Sequence, residues 1–181
     1  MFANNKPWYT RGPSIILTLL LLCGVALLGW MGTDLVVKHT SGHEFCSSCH
    51  SMQPLQQSFL LDTHGGNNTS GIQAQCTDCH LPHDSHLNYW YTKVTTSAYD
   101  IWIESTGKAH NVDWHAKRAR AAEYTYDSGC LKCHNNLQQM PIDENNLPVH
   151  QFYFQESTQS RCVNCHSVGH KNLVELLPPR P

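Results

Sequence analysis

The sequence predicts a mainly α-helical chain with extensive irregular structure: a single N-terminal transmembrane helix plus one compact domain. Three observations lead there. An uncharged apolar run, SIILTLLLLCGVALLGWM, spans Ser14 to Met31. Eight of the nine cysteines fall downstream into four identical frames. Apolar residues make up only 40% of the chain and much of that content sits in the one run, so something other than aliphatic packing must fill the domain.

The run comes first. Eighteen helical residues at about 1.5 Å each reach roughly 27 Å, close to the hydrocarbon thickness of a bilayer. A cleaved signal peptide has a shorter apolar core, and no small-x-small cleavage site follows Trp30. The expected organisation is a cytoplasmic tail over 1–13, an anchor over 14–32 and the domain over 33–181. Lys6 and Arg11 precede the run and favour a cytoplasmic N-terminus, and Trp8, Tyr9 and Trp30 suit the two interfaces. The domain then lies on the far side, the periplasm if the host is Gram-negative, with the chain in the inner membrane. Cys23, within the run, reads as a small packing residue. A net charge of −2 gives no electrostatic case for nucleic acid.

The four frames are Cys46-Ser-Ser-Cys49-His50, Cys76-Thr-Asp-Cys79-His80, Cys130-Leu-Lys-Cys133-His134 and Cys162-Val-Asn-Cys165-His166. Each is C-x-x-C-H, the attachment motif of c-type haem. Two thiols add to the vinyl groups on one porphyrin edge, and the adjacent histidine reaches under the ring to the iron. Zinc ribbons, thioredoxin-type pairs and disulfides all use paired cysteines, but none requires a histidine after every second cysteine. The domain is therefore a multihaem cytochrome c domain organised around four haems.

Iron needs a sixth ligand, and its identity separates catalysis at an open position from electron transfer at a filled one. Nine histidines lie outside the motifs: His39, His43, His64, His83, His86, His110, His115, His150 and His170. They are ample candidates for second axial ligands. Met52, two positions after His50, offers a thioether, although that residue type at that position more often packs.

The motifs begin 30, 54 and 32 residues apart, which reads as two dihaem units joined by a longer insert. His64 to Gly71 is a turn-rich loop. Asn88 to Glu104 is aromatic and β-branched, so propensity alone leaves helix and strand open. Asp113 to Tyr126 looks helical, with Asp113 as N-cap and an alanine-rich body. Its Lys117, Arg118 and Arg120 suit haem propionates, phospholipid headgroups or a merely solvated face. The tail after Leu173 ends in Pro-Pro-Arg-Pro and should be extended.

The anchor, the motif spacings and the phrases EFCSSCHSMQP, THGGNNTSGIQAQCTDCHLPH and VHQF…RCVNCHSVGH together resemble the NapC/NirT/NrfH family, from the anchor to about His170. The resemblance implies a quinol dehydrogenase that passes electrons from menaquinol or ubiquinol to a periplasmic reductase, of nitrite or nitrate type, or to a cytochrome c partner. The partners it implies are thus a membrane, a quinol and a periplasmic protein held as a complex, with a homo-oligomer also compatible. It implies His64, His83, His150 and His170 as distal ligands and His80, His134 and His166 as proximal ligands of haems two to four. Met52 matches the methionine that replaces the motif histidine on the first iron in one branch; otherwise His50 is the ligand. Four distal histidines exceed the three then needed. Lys93 and Asp100, followed by Trp102, match a K-x6-D-x-W pattern near the family's quinol pocket, though a solvated helical face is the bland alternative. The loop His166-Ser-Val-Gly-His170 is one residue shorter than the usual family form.

Quinol releases two electrons and two protons, so a site needs a haem, a proton acceptor and further haems to drain it. Asp100 would accept the proton and Lys93 would bind a quinone oxygen. Two other readings stay open on sequence. One is a passive conduit fed by another membrane subunit; the other is a terminal reductase, which the abundance of distal histidines disfavours.

Overall fold

The computed structural model describes residues 12–137, 147–155 and 160–179. Lys6, Trp8, Tyr9 and Arg11, the residues expected to set orientation and interfacial anchoring, lie outside the described residues. The chain divides into two units, Met1–Thr40 and Ser41–Pro181.

Among its described residues the first unit is one helix, α1 (Gly12–His39). Its stretch Ser14–His39 is long and apolar enough to cross a membrane, with a mean hydropathy of 2.4 over its most apolar window. The helix runs seven residues beyond the expected anchor end at residue 32. Its last turns carry the exposed i,i+4 pair Asp34 and Lys38 at 2.8 Å, and Lys38 and His39 suit the negative end of the helix dipole.

The second unit is built from one long helix and several short ones, with no strand among the described residues. In chain order they are α2 (His43–Cys46), α3 (Gln53–Leu60), α4 (Cys76–His80), α5 (His86–Ser105), α6 (Trp114–Ala119), α7 (Asp127–Cys133), α8 (Leu147–Phe154), α9 (Cys162–Cys165) and α10 (Leu173–Leu176). Single 3₁₀ turns fall at His50–Met52, Thr63–Gly65, Lys108–Asn111 and Ala121–Glu123. Among the described residues the buried apolar side chains are Phe59, Leu81, Ile103, Ala109, Leu173 and Leu177, with Pro82 fully enclosed. That is a small aliphatic core for such a unit, as the composition implied.

The open segment Asn88–Glu104 is helix. Ser85 caps α5 by accepting from the Asn88 amide at 3.4 Å, and the three charges Lys93, Asp100 and Glu104 recur at helical spacing on one face. The Asp113 segment is shorter than expected. Asp113 does cap it, accepting from Ala116 N at 2.9 Å, but the α-helix stops at Ala119. Tertiary bonds override alanine propensity there: Tyr126 N donates to Cys79 O at 2.9 Å, and the Tyr124 carbonyl is taken by His80 at 2.7 Å. The tail is likewise not extended from Leu173. It forms α10 first, anchored by buried Leu173 and Leu177, and becomes extended only at Leu177.

Two backbone contacts fix the segments that carry the ligands. Lys171 N donates to Ser58 O at 3.1 Å, holding the C-terminal segment against α3. Helices α4 and α7 approach backbone to backbone at Gly129, where a Cβ would stand 1.8 Å from Asp78 O. Only glycine fits so close a crossing.

Candidate haem and redox site

In the second, third and fourth motifs, both cysteines lie on one short helix: α4, α7 and α9. Helical i,i+3 spacing puts the two thiols on one face, the arrangement that two vinyl carbons of one ring edge require. In the first motif Cys46 ends α2, and Cys49 precedes the 3₁₀ turn His50–Met52. No disulfide joins any of the nine cysteines.

The motifs converge in space. Cys76 lies beside Cys46, and its neighbouring thiol, helped by the Lys93 charge, lowers Cys46 to about 7 against the opposing effect of burial. Cys130 and Cys162 meet similarly, their sulfurs within 4.8 Å of each other and of a carboxylate oxygen of Asp127. Burial, with Asp127 beside it, pushes Cys162 up to about 12. Cys79 feels the charge of Cys133, and Cys130 feels Cys79. Attachment points one and two thus adjoin, as do three and four, and two lies near three. Asp127, Cys130 and Cys162 would also suit a small metal ion by donor type, but both thiols belong to C-x-x-C-H frames and are consumed when thioethers form.

The imidazoles pair as well. His64 and His134 have ring centroids 6.2 Å apart, His80 and His170 6.1 Å, and His150 and His166 6.2 Å. Each pair joins one motif histidine to one surplus histidine. With an iron–nitrogen bond of about 2.0 Å and about 1.1 Å from nitrogen to ring centre, two imidazoles on one iron stand about 6.2 Å apart. The three observed separations match that value.

Hydrogen bonding fixes several of these rings. His80 Nδ1 lies 2.7 Å from the Tyr124 carbonyl, which can only accept, so Nδ1 carries the proton and Nε2 keeps its lone pair. His170 Nδ1 lies 3.1 Å from the Leu55 carbonyl and 2.8 Å from Ser58 Oγ, with the same consequence. Burial and the neighbouring His80 hold His170 down at about 4, so it stays neutral, the form that ligates iron. His64 Nδ1 faces Asp62 Oδ1 at 3.2 Å. Anchoring of the non-ligating nitrogen in this way is the usual support of a metal-bound imidazole. His83 is the opposite case. Its Nε2 lies 3.1 Å from the Thr77 carbonyl, so that nitrogen holds the proton; its ring lies 5.4 Å from Tyr89 and forms no close pair with a motif histidine among the described residues.

Around the first motif the partners differ. Met52 is half-buried and His50 exposed, and neither enters an imidazole pair among the described residues. Lys93 and Asp100, two turns apart on α5, both act on Cys46, and Asp100 also acts on Cys49. Lys93 is only 8% exposed, with Nζ 3.4 Å from Ser41 Oγ. Burial lowers Lys93 and raises Asp100. One turn beyond Asp100, Glu104 clamps the Met52 turn: Oε2 accepts from Ser51 Oγ at 2.6 Å and Oε1 from Ser51 N at 3.3 Å.

Sequence reasoning missed Glu104, Asp62, Asp127 and Ser58. Only Glu104 left a signal, its position four residues after Asp100. Ser58 is fully buried and becomes meaningful through a partner 112 residues away, which no local pattern reveals.

The donor set, eight paired thiols and three imidazole pairs at iron-spanning distance, fits four c-type haems. Comparisons agree. The model of the NapC/NirT cytochrome c family, N-terminal region, matches residues 10–175. The cytochrome c-type protein TorY of Haemophilus influenzae is 32% identical over 173 residues, covering 90% of this chain and 45% of TorY. The tetraheme c-type cytochrome CymA of Shewanella oneidensis is 29% identical over 167 residues, covering 84% and 88%. The cytochrome c-type protein NapC of Haemophilus influenzae is 26% identical over 182 residues, covering 94% and 86%. The chain thus spans about half the length of TorY and most of CymA and NapC. No solved structure matches it.

Proposed function

The chain belongs to the NapC/NirT cytochrome c family, and from that premise we propose that it oxidises quinol at a membrane surface and delivers the electrons to a periplasmic partner. The partner in this reading is a reductase of nitrite or nitrate type, or a cytochrome c, held in a complex. The N-terminus is cytoplasmic and the haem domain periplasmic, anchored by α1 in the inner membrane.

The observation that carries the reading is the placing of Lys93 beside Cys46 and of Asp100 beside both Cys46 and Cys49, two turns apart on α5. When bound, the four haems accept and relay single electrons; the chain supplies binding, orientation and proton transfer. Lys93 Nζ binds a quinol oxygen and steadies the charge that develops on it as the proton leaves. Asp100 accepts that proton, and its raised pKa makes it a better base than an ordinary aspartate. Each quinol gives up two electrons and two protons and leaves as quinone, Asp100 taking the protons in turn and passing each to water before accepting the next.

The outer face of α5 supports access from lipid. It exposes Leu87, Tyr91, Val94 and Ile101, while the charged Lys93, Asp100 and Glu104 turn the other way. An apolar exterior over a charged interior is the reverse of a water-facing helix.

Three haems in this reading are bis-histidine: the second held by His80 and His170, the third by His134 and His64, the fourth by His166 and His150. The centroid separations support these pairs. The first haem takes Met52 or His50, and His83 is a structural histidine. The adjacency of the cysteines supports electron flow in motif order, one to four.

The test is reduction of the purified, haem-loaded chain by a quinol analogue. Lys93→Ala and Asp100→Asn should slow it while dithionite still reduces every haem. General-base assistance is worth roughly 10²–10⁴ in rate, so Asp100→Asn should be plainly defective. Normal rates in both variants would remove this site and favour the passive conduit.

A further inference from the structure

We propose that the Asp62 carboxylate sets the potential of the haem held between His64 and His134, keeping it lower than a neutral acceptor would. This rests on the axial pairing of those two rings in the proposed function. Asp62 Oδ1 faces His64 Nδ1 at 3.2 Å and also accepts the His64 amide at 2.9 Å. Its side chain is only 13% exposed. The amide of Gly169 also lies within electrostatic reach of this carboxylate. Gly169 immediately precedes His170, so this carboxylate stands close to the loops that carry two distal ligands, His64 and His170.

The chemistry depends on what accepts the imidazole proton. His80 and His170 donate from Nδ1 to uncharged carbonyls, Tyr124 and Leu55. Of these anchored rings, His64 is the one that faces a carboxylate. An anion at Nδ1–H draws the proton towards itself and leaves the ring a stronger donor at Nε2. Stronger donation and a nearby negative charge both favour ferric over ferrous iron, so the midpoint falls. The contacts at Asp62 Oδ1, the His64 amide and the His64 ring nitrogen, are both donors, an arrangement that suits an anionic carboxylate.

A purely structural role is the rival, since Asp62 also caps the turn Thr63–Gly65. Asp62→Asn separates the two: asparagine still accepts from the His64 amide, but the charge facing the imidazole is gone. The assay is a spectropotentiometric titration of the haem-loaded protein, with haem content and thermal midpoint measured alongside and His64→Ala as reference. His64→Ala should abolish one low-spin bis-histidine component. Asp62→Asn should move that same component to higher potential at unchanged haem content. A lesser shift is expected in the haem attached through Cys79, whose sulfur feels the same carboxylate. If His64→Ala changes no component, the pairing fails and this inference with it. If His64→Ala removes one component while Asp62→Asn moves none, or moves all four equally, the pairing stands and the role of Asp62 is refuted.

Discussion

Gly129→Ala should loosen the junction between the second and third attachment helices. A Cβ at 129 would lie 1.8 Å from Asp78 O and 3.0 Å from Asp78 C. Non-bonded Cβ contacts essentially never fall below 3.0 Å, so α7 and α4 must separate by more than 1 Å. The obstacle is backbone inside α4, which carries Cys76 and Cys79, so no side chain can swing aside. Overpacking of this kind costs about 1–3 kcal/mol. For a unit of this size that lowers the thermal midpoint by roughly 3–10 °C. The same displacement moves Cys79 away from Cys130 and Cys133, so electron exchange between the second and third haems should slow. Thermal melts and flash reduction of haem-loaded protein measure both effects. Gly42→Ala is the control, since its nearest neighbour would be Glu44 Oε2 at 3.4 Å, an ordinary contact. A Gly129→Ala protein with unchanged midpoint and unchanged transfer rate would refute the packing argument.

The same geometry makes further outcomes testable. Met52→Leu should alter one haem in spectra and redox titration and leave the other three, whereas an unchanged spectrum would give the first iron to His50. His83→Gln should leave all low-spin components in place, because its Nε2 already serves the Thr77 carbonyl; loss of a component by electron paramagnetic resonance would make it a ligand. Quinol oxidation should fall with acidification, since the base works only when ionised. Because burial raises Asp100, the fall should begin at a higher pH than for an ordinary carboxylate and vanish in Asp100→Asn. Gly65→Ala, with its Cβ 1.8 Å from Phe59 O, should displace the adjacent His64 and weaken one bis-histidine component.

Much of the site was legible because covalent chemistry writes it locally. Cys76, Cys79 and His80 must sit within five residues, so their spacing declares their purpose without any fold. The distal ligands carry no such constraint. His170 meets His80 across ninety residues, through a short helix docked on α3, and sequence alone supplied only a set of candidates larger than the need. His64, His83, His150 and His170 look equivalent in sequence; their hydrogen bonds distinguish them, since His170 uses Nδ1 and His83 uses Nε2. Secondary structure was misjudged where tertiary bonds compete with propensity. The alanine-rich segment after Asp113 gives up its helix so that the Tyr124 carbonyl can orient His80. Conversely, α5 was undecided from β-branched content because its charged face gains meaning only beside Cys46 and Cys49.

The central claim, that this chain itself takes electrons from quinol, is tested most directly by counting them. Purified haem-loaded protein in detergent or lipid, titrated anaerobically with a low-potential quinol analogue, should fill four one-electron haems from two quinols, the reduced α-band rising linearly to that endpoint. A chain that stays oxidised under excess quinol, yet is fully reduced by dithionite, would contradict the account.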